Sequence, residues 1–205
     1  MMGAPNRPDA RLPARVTAAG RRAQAGGGTS LLAFLRDKRA LGAVEFALIA
    51  PFMLILYMTG SEVSIAITLN RKVQHASSTI NDLITQSSDV TTDDVNGIFN
   101  IAASIVQPYD SSLLKVRVSS IKIDATGKQT VEWSVGRGLT KLAAKSSYVL
   151  PTQFSGYINK YIMVAETAYD YTPLGGYGLT NVINMGETSY LNPRLGDKVT
   201  CGNCT

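Results

Sequence analysis

The chain has 205 residues, two cysteines, a single histidine and a net charge of +5. That length admits one modest domain beside a membrane segment, not two full domains. With one imidazole, His75, a catalytic or zinc site built on several histidines is excluded, and its polar helical surroundings read as a surface position.

The charge is unevenly spread. Residues 1–40 hold Arg7, Arg11, Arg15, Arg21, Arg22, Arg36, Lys38 and Arg39 against Asp9 and Asp37, a surplus of six that leaves −1 for the rest. A near-neutral domain with a basic leader gives no reason to infer nucleic acid, whereas contact with anionic lipid accounts for the leader economically. Residues 1–29, with Ala4-Pro5, Leu12-Pro13 and Gly26-Gly27-Gly28, lack a sustained apolar period and read as disordered. Leu31, Leu32, Phe34 and Leu35 suit a short interfacial turn.

From Phe46 to Ser61 there is no charge. With its apolar flanks the run is long enough for a bilayer, which takes ~20 helical residues at ~1.5 Å each; a buried core helix is the alternative. The basic residues before the span place the amino terminus in the cytoplasm and the carboxyl domain outside. Two residues exceed what an anchor needs. Glu45 is a carboxylate about one turn inside the span, which should be paired or neutral, and Pro51 removes a helical N–H and favours a kink.

Arg36-Asp37-Lys38-Arg39, the small residues Ala40, Gly42 and Ala43, then Val44-Glu45-Phe46-Ala47-Leu48 and Pro51 resemble the amino-terminal signature of TadE-like pseudopilins. These are minor components of the tight-adherence (Tad, or Flp) branch of type IV pilus systems. The resemblance implies that a prepilin peptidase cuts between Ala40 and Leu41, leaving Glu45 as the fifth mature residue with aromatic Phe46 after it. The family pattern has Gly at the leader end, whereas this chain has Ala40, which is also small, and Gly42 in the second mature position. The implied partners are other pilins and pseudopilins, met through the amino-terminal helix, and an inner-membrane assembly platform. Cleavage creates an α-amino group on Leu41, four residues before Glu45, and that pair is satisfied either within one subunit or between neighbours. The competing functional reading is a secreted or periplasmic binding domain behind an ordinary signal peptide cut after Ser64-Ile65-Ala66.

Beyond the span, Glu62 falls near the outer interface. Ala66, Leu69, Val73, Ala76, Ile80 and Leu83 then recur at spacings of three and four, with Arg71, Lys72, Gln74 and Asn81 off the stripe. The pattern predicts one helix from Leu41 to about Thr85, divided into a membrane part, 41–61, and an amphipathic extension, 62–87. The stripe alone fits docking on the chain's own domain or on a neighbouring subunit. Residues 88–205 read as an extracytoplasmic α+β domain.

Ser87–Asp94 reads as a loop into a second helix that Thr91 caps, Asp93 and Asp94 favour, Val95, Ile98, Phe99, Ala102, Ile105 and Val106 anchor, and Pro108 stops. The period then becomes two. Leu114, Val116 and Val118 alternate on one strand, and Val131, Trp133 and Val135 on the next, with Asp124–Lys128 as a hairpin turn and Ser119-Ser120 as a bulge. Leu139–Val149 suits a short helix before Pro151. Tyr161–Tyr171 reads as a long third strand, 174–178 as a mobile loop, and Ser189–Leu195 with Val199-Thr200 as a short edge strand. The expected fold is α+β, a long amino-terminal helix packed on a small antiparallel sheet, which is also the pilin plan that the resemblance implies.

Candidate chemistry is sparse. Gly175-Gly176-Tyr177-Gly178 lacks the spacing and following helix of a phosphate loop, and Glu132, Glu166 and Glu187 sit on separate segments. Tyr157, Tyr161, Tyr169, Tyr171 and Tyr177 suit an interaction surface or half-buried packing. The expectation is no enzyme, no cofactor and no metal. Cys201 and Cys204, outside the cytoplasm, are expected to form a structural disulfide closing a tight loop; two thiols fall short of the four ligands zinc takes.

Overall fold

The computed structural model describes residues 41–173 and 181–204, so the leader, Ala40 and the glycine-rich 174–178 stretch lie outside the described residues. The chain divides into two units, Met1–Ile49 and Ala50–Thr205. Of the first, the described part is the opening of helix α1, Leu41–Ile49, whose side chains are all exposed. All other elements belong to the second unit.

Helix α1 runs Leu41–Thr85 with Pro51 inside it. Strand β1 (Asp89–Val90) leads into helix α2 (Thr92–Val106). Strands β2 (Leu114–Ile123), β3 (Gln129–Arg137), β4 (Lys160–Tyr171) and β5 (Ile183–Leu191) form an antiparallel sheet in the order β3-β2-β4-β5. Strand β6 (Thr200–Cys201) pairs parallel with β1, placing Asp89 opposite Thr200 and Val90 opposite Cys201. The fold is α+β: a long helix on a small antiparallel sheet.

The docking of α1 on the sheet follows from two repeats that match. Four helical residues rise ~6 Å and two strand residues ~6.6 Å. Val73, Ser77 and Asn81 therefore step along Thr167, Ala165 and Met163 of β4, running antiparallel to it. The Thr167 hydroxyl donates to the Val73 carbonyl at 3.3 Å, the Ser77 hydroxyl to the Ala165 carbonyl at 2.9 Å, and the Asn81 amide to the Met163 carbonyl at 3.2 Å. Between these polar rungs Leu69, Val73, Ala76, Ile80 and Ile84 are fully buried. The expected stripe thus docks on the chain's own domain, with two corrections. Ile84 takes the buried place expected of Leu83. Asn81, expected off the stripe, is fully buried and also donates to the Ser189 carbonyl at 2.8 Å.

The α2 cap has the expected residue. Thr91 accepts from the Asp94 N–H, while its own hydroxyl and N–H donate to the Asp94 carboxylate at 2.7 and 2.9 Å. These two bonds, the hydroxyl's first, hold the Asp94 carboxyl below the usual carboxylate range. A group whose folded pKa is lowered contributes stability above its unfolded value, about 4, and that contribution is lost as pH falls through the lower folded value. Thr91→Ala is expected to cost about 1 kcal/mol at neutral pH, read as a lower urea midpoint. The deficit of Asp94→Asn should shrink in acid; a deficit that grows as pH falls contradicts the assignment.

The bulge expected at Ser119-Ser120 is present as a register shift between Ser120 and Ile121 in the pairing with β3, with its extra residue on the partner strand. Strand β2 pairs with β4 without interruption, Ser120 opposite Met163 and Ile121 opposite Ile162. Against β3, however, Ser120 faces Trp133 and Ile121 faces Val131, so the extra residue is Glu132 of the partner strand. On β2 the apolar residues change face. Val116 and Val118 join the core beneath α1 and α2, whereas Ile121 and Ile123 join a second cluster with Val131, Ile162, Val164, Leu150 and Phe154. The segment after β3 supplies the cover for that second face. Instead of the expected helix before Pro151 it is irregular, touches β3 through Thr130 and Ser147, and forms a short 3-10 turn only at Thr152–Phe154. The edge strand is likewise earlier and longer than expected, because β5 starts at Ile183 and ends at Leu191.

Candidate functional site

Leu41, Glu45 and Phe46 lie in the first turns of α1, all exposed, with Leu41 and Glu45 one helical turn apart. In the second unit the helix continues bare. Phe52 to Met58, seven consecutive residues spanning nearly two turns, are all exposed, from 42% at Met58 to 76% at Tyr57. A helix that leaves apolar side chains uncovered on every side is not the core helix of this domain, which disposes of that alternative. It is long and apolar enough to cross a membrane. Glu45 is the only charged residue from 41 to 61.

The bare stretch ends at Glu62. Glu62, expected near the outer interface of the bilayer, is buried at 8% exposure, near Tyr171 at the end of β4. Burial first, then the Glu62 charge, raises the Tyr171 phenol above its usual range. From Ile65 and Ala66 onward the helix packs on the core. The change from bare to docked takes about one helical turn, and the sequence signal for it is faint: a lone carboxylate followed by the first small residue of the stripe.

The other candidates are scattered. His75 is exposed on α1. Glu166 forms a two-bond ion pair with Arg117 at 2.6 and 2.7 Å across β2 and β4, Glu132 is exposed at the bulge, and Glu187 lies on β5. Tyr169 and Tyr171 are buried packing, Tyr157 and Tyr161 are partly exposed, and Tyr177 lies outside the described residues. Among the described residues no three metal-capable side chains cluster.

Cys201 and Cys204 are disulfide-bonded, with Cα atoms 5.6 Å apart. The tight loop they close has a neighbour the sequence did not disclose. Asn203 Oδ1 accepts from the Thr92 N–H at 2.7 Å and from the Thr92 hydroxyl at 3.0 Å, so the loop satisfies a free donor at the start of α2.

Residues 41–80 match the family model of TadE-like proteins. Over this stretch the chain is TadE-like. The match spans the bare helix with Glu45 and the docked helix as far as Ile80, and it suggests involvement in the Tad pilus system. No curated protein and no solved structure matches the chain. The TadE-like stretch thus includes both the part of α1 that is bare among the described residues and the part that carries the domain.

Proposed function

We propose that this TadE-like chain is a minor pilin-like subunit that assists assembly of a Tad/Flp-type pilus at the inner membrane, with a structural role and no catalytic one. The observation that carries the reading is the bare apolar helix with one carboxylate, Glu45, near its start. Residues 1–40 form a cytoplasmic leader, 41–61 cross the bilayer, 62–87 continue as the amphipathic part of the helix, and the domain from residue 88 faces the periplasm, with the subunit available for incorporation into the extracellular pilus. Prepilin peptidase separates Ala40 from Leu41, and the freed α-amino group becomes a partner for Glu45. Other pilins and pseudopilins then meet the chain through the same helix, on the assembly platform.

The signal-peptide alternative is less consistent with the packing. A cut after Ala66 would remove Glu62, Ile65 and Ala66, which are buried or packed on the core. Amino-terminal sequencing of the mature protein purified from membranes tests the reading: Leu41 is expected. A mature terminus at Ile67 would establish the alternative, and an intact leader would remove the peptidase step.

A further inference from the structure

Within the second unit α1 runs antiparallel to β4, so the ends of the domain can be told apart. Glu62 lies near Tyr171 at the end next to the bare helix, and the Arg194 N–H donates to the Thr85 carbonyl at 2.9 Å at the opposite end. At that distal end a concave site of about 370 Å³ opens between residues 156–161 and 192–197. Tyr157 and Tyr161 line it, with Ile158 and Pro193. Tyr157 is 38% exposed yet held by an edge contact to the buried Phe154, with ring centres 5.5 Å apart and planes at 88°. The Lys198 ammonium sits over the Tyr161 ring at 6.0 Å. Asn192, Asp197 and Lys160 complete the lining. Neither the core nor the helix docking uses this site.

We propose that the distal site binds a neutral, N-acetylated saccharide. Its volume falls within the ~300–1,000 Å³ usual for small-molecule sites. A pyranose has an apolar C–H face and an equator of hydroxyls that both donate and accept. Tyrosine rings restrained by packing offer the first a flat surface at low entropic cost. Asn192 donates and accepts, Asp197 accepts and Lys160 donates, which is the mixture that hydroxyls require. One lysine against one aspartate leaves the lining residues themselves without net charge, with Lys198 beside them over Tyr161, so competition by phosphate is the control that separates a neutral sugar from an anion. Ile158, exposed, and Pro193, half-buried, supply an apolar wall suited to an acetyl methyl group.

The test is saturation-transfer NMR on the full-length chain in nanodiscs with N,N′,N″-triacetylchitotriose as probe. Transfer from protein aromatic protons to the acetyl methyl and ring protons is expected. Asn192→Ala should weaken binding about tenfold, as loss of one hydrogen bond does, and Tyr157→Ala at least as much. No transfer to the wild-type protein overturns the proposal. So does equal binding by Asn192→Ala, which alters no core side chain, or displacement of the sugar by inorganic phosphate. The assay involves neither processing nor assembly, so its failure leaves the pilus reading intact.

Discussion

Glu45→Ala is expected to leave the protein inserted and processed but to abolish its association with partner subunits. The residue stands alone as a charge among apolar side chains, all exposed along the first turns of the helix. In hydrocarbon an unpaired carboxylate costs a few kcal/mol, about 3 at mid-span and less near the edge. Removing it therefore favours insertion and cannot explain a loss by failure to enter the membrane. In the assembly role proposed above, what it removes is a penalty on wrong staggers. When the carboxylate meets the α-amino group of a neighbour's first residue, each group offsets the desolvation of the other, and every other register leaves both exposed to lipid. Co-purification of processed Glu45→Ala with partner pilins at the wild-type level would show that the carboxylate plays no part in register.

Phe99→Ala lowers the stability of the domain by about 3–5 kcal/mol, the cost of emptying a fully packed aromatic site. Among the described residues Phe99 is the largest side chain with less than 2% exposure, at 1% in the middle of α2. Its ring lies 5.4 Å beneath the Arg137 guanidinium, which is itself fixed by bonds to Asn96 and Asn100 of the same helix. Because that lid is tethered, the site has little freedom to collapse around alanine. Urea denaturation should show the loss as a lower midpoint with an unchanged slope. Ile101→Ala on the same helix, half exposed, should stay within about 0.5 kcal/mol of wild type. Equal losses at the two positions would contradict the packing described.

Those two predictions depend on features the sequence displays openly. The uncharged run, Glu45 and Pro51 are visible as words, and α2 is bracketed by Thr91 and Pro108. Leu114, Val116 and Val118 alternate on β2 and Val131, Trp133 and Val135 on β3, and Tyr161–Tyr171 stands out as a Tyr- and Val-rich run within β4. What stayed hidden has a common cause: its partners are remote in sequence. Asn81 reads as a polar interruption until β4 and β5 supply the carbonyls it bonds. The apolar switch within β2 looks like a local defect until Leu150 and Phe154 cover the other side of the sheet. Strand β5 carries few apolar residues, because an edge strand is half solvated and takes its register from β4. The parallel pairing of β1 with β6 has two residues per strand, too few for any period to register. The distal site combines two tyrosines, read as either interaction surface or half-buried packing, with a loop mistaken in part for strand.

The ladder of Val73, Ser77 and Asn81 along β4 has a consequence for the order of synthesis. The helix emerges first, and the strand that satisfies its buried hydroxyl and amide follows only after α2 and two further strands have been made. At ~5–20 residues per second that interval is on the order of ten seconds. Throughout it Leu69, Val73, Ala76 and Ile80 have no sheet to cover them, while the preceding stretch of the same helix is already apolar enough for lipid. A growing chain of this design therefore has its anchor available well before its domain can close, and delivery of β4 is the step that turns a tethered helix into a folded subunit.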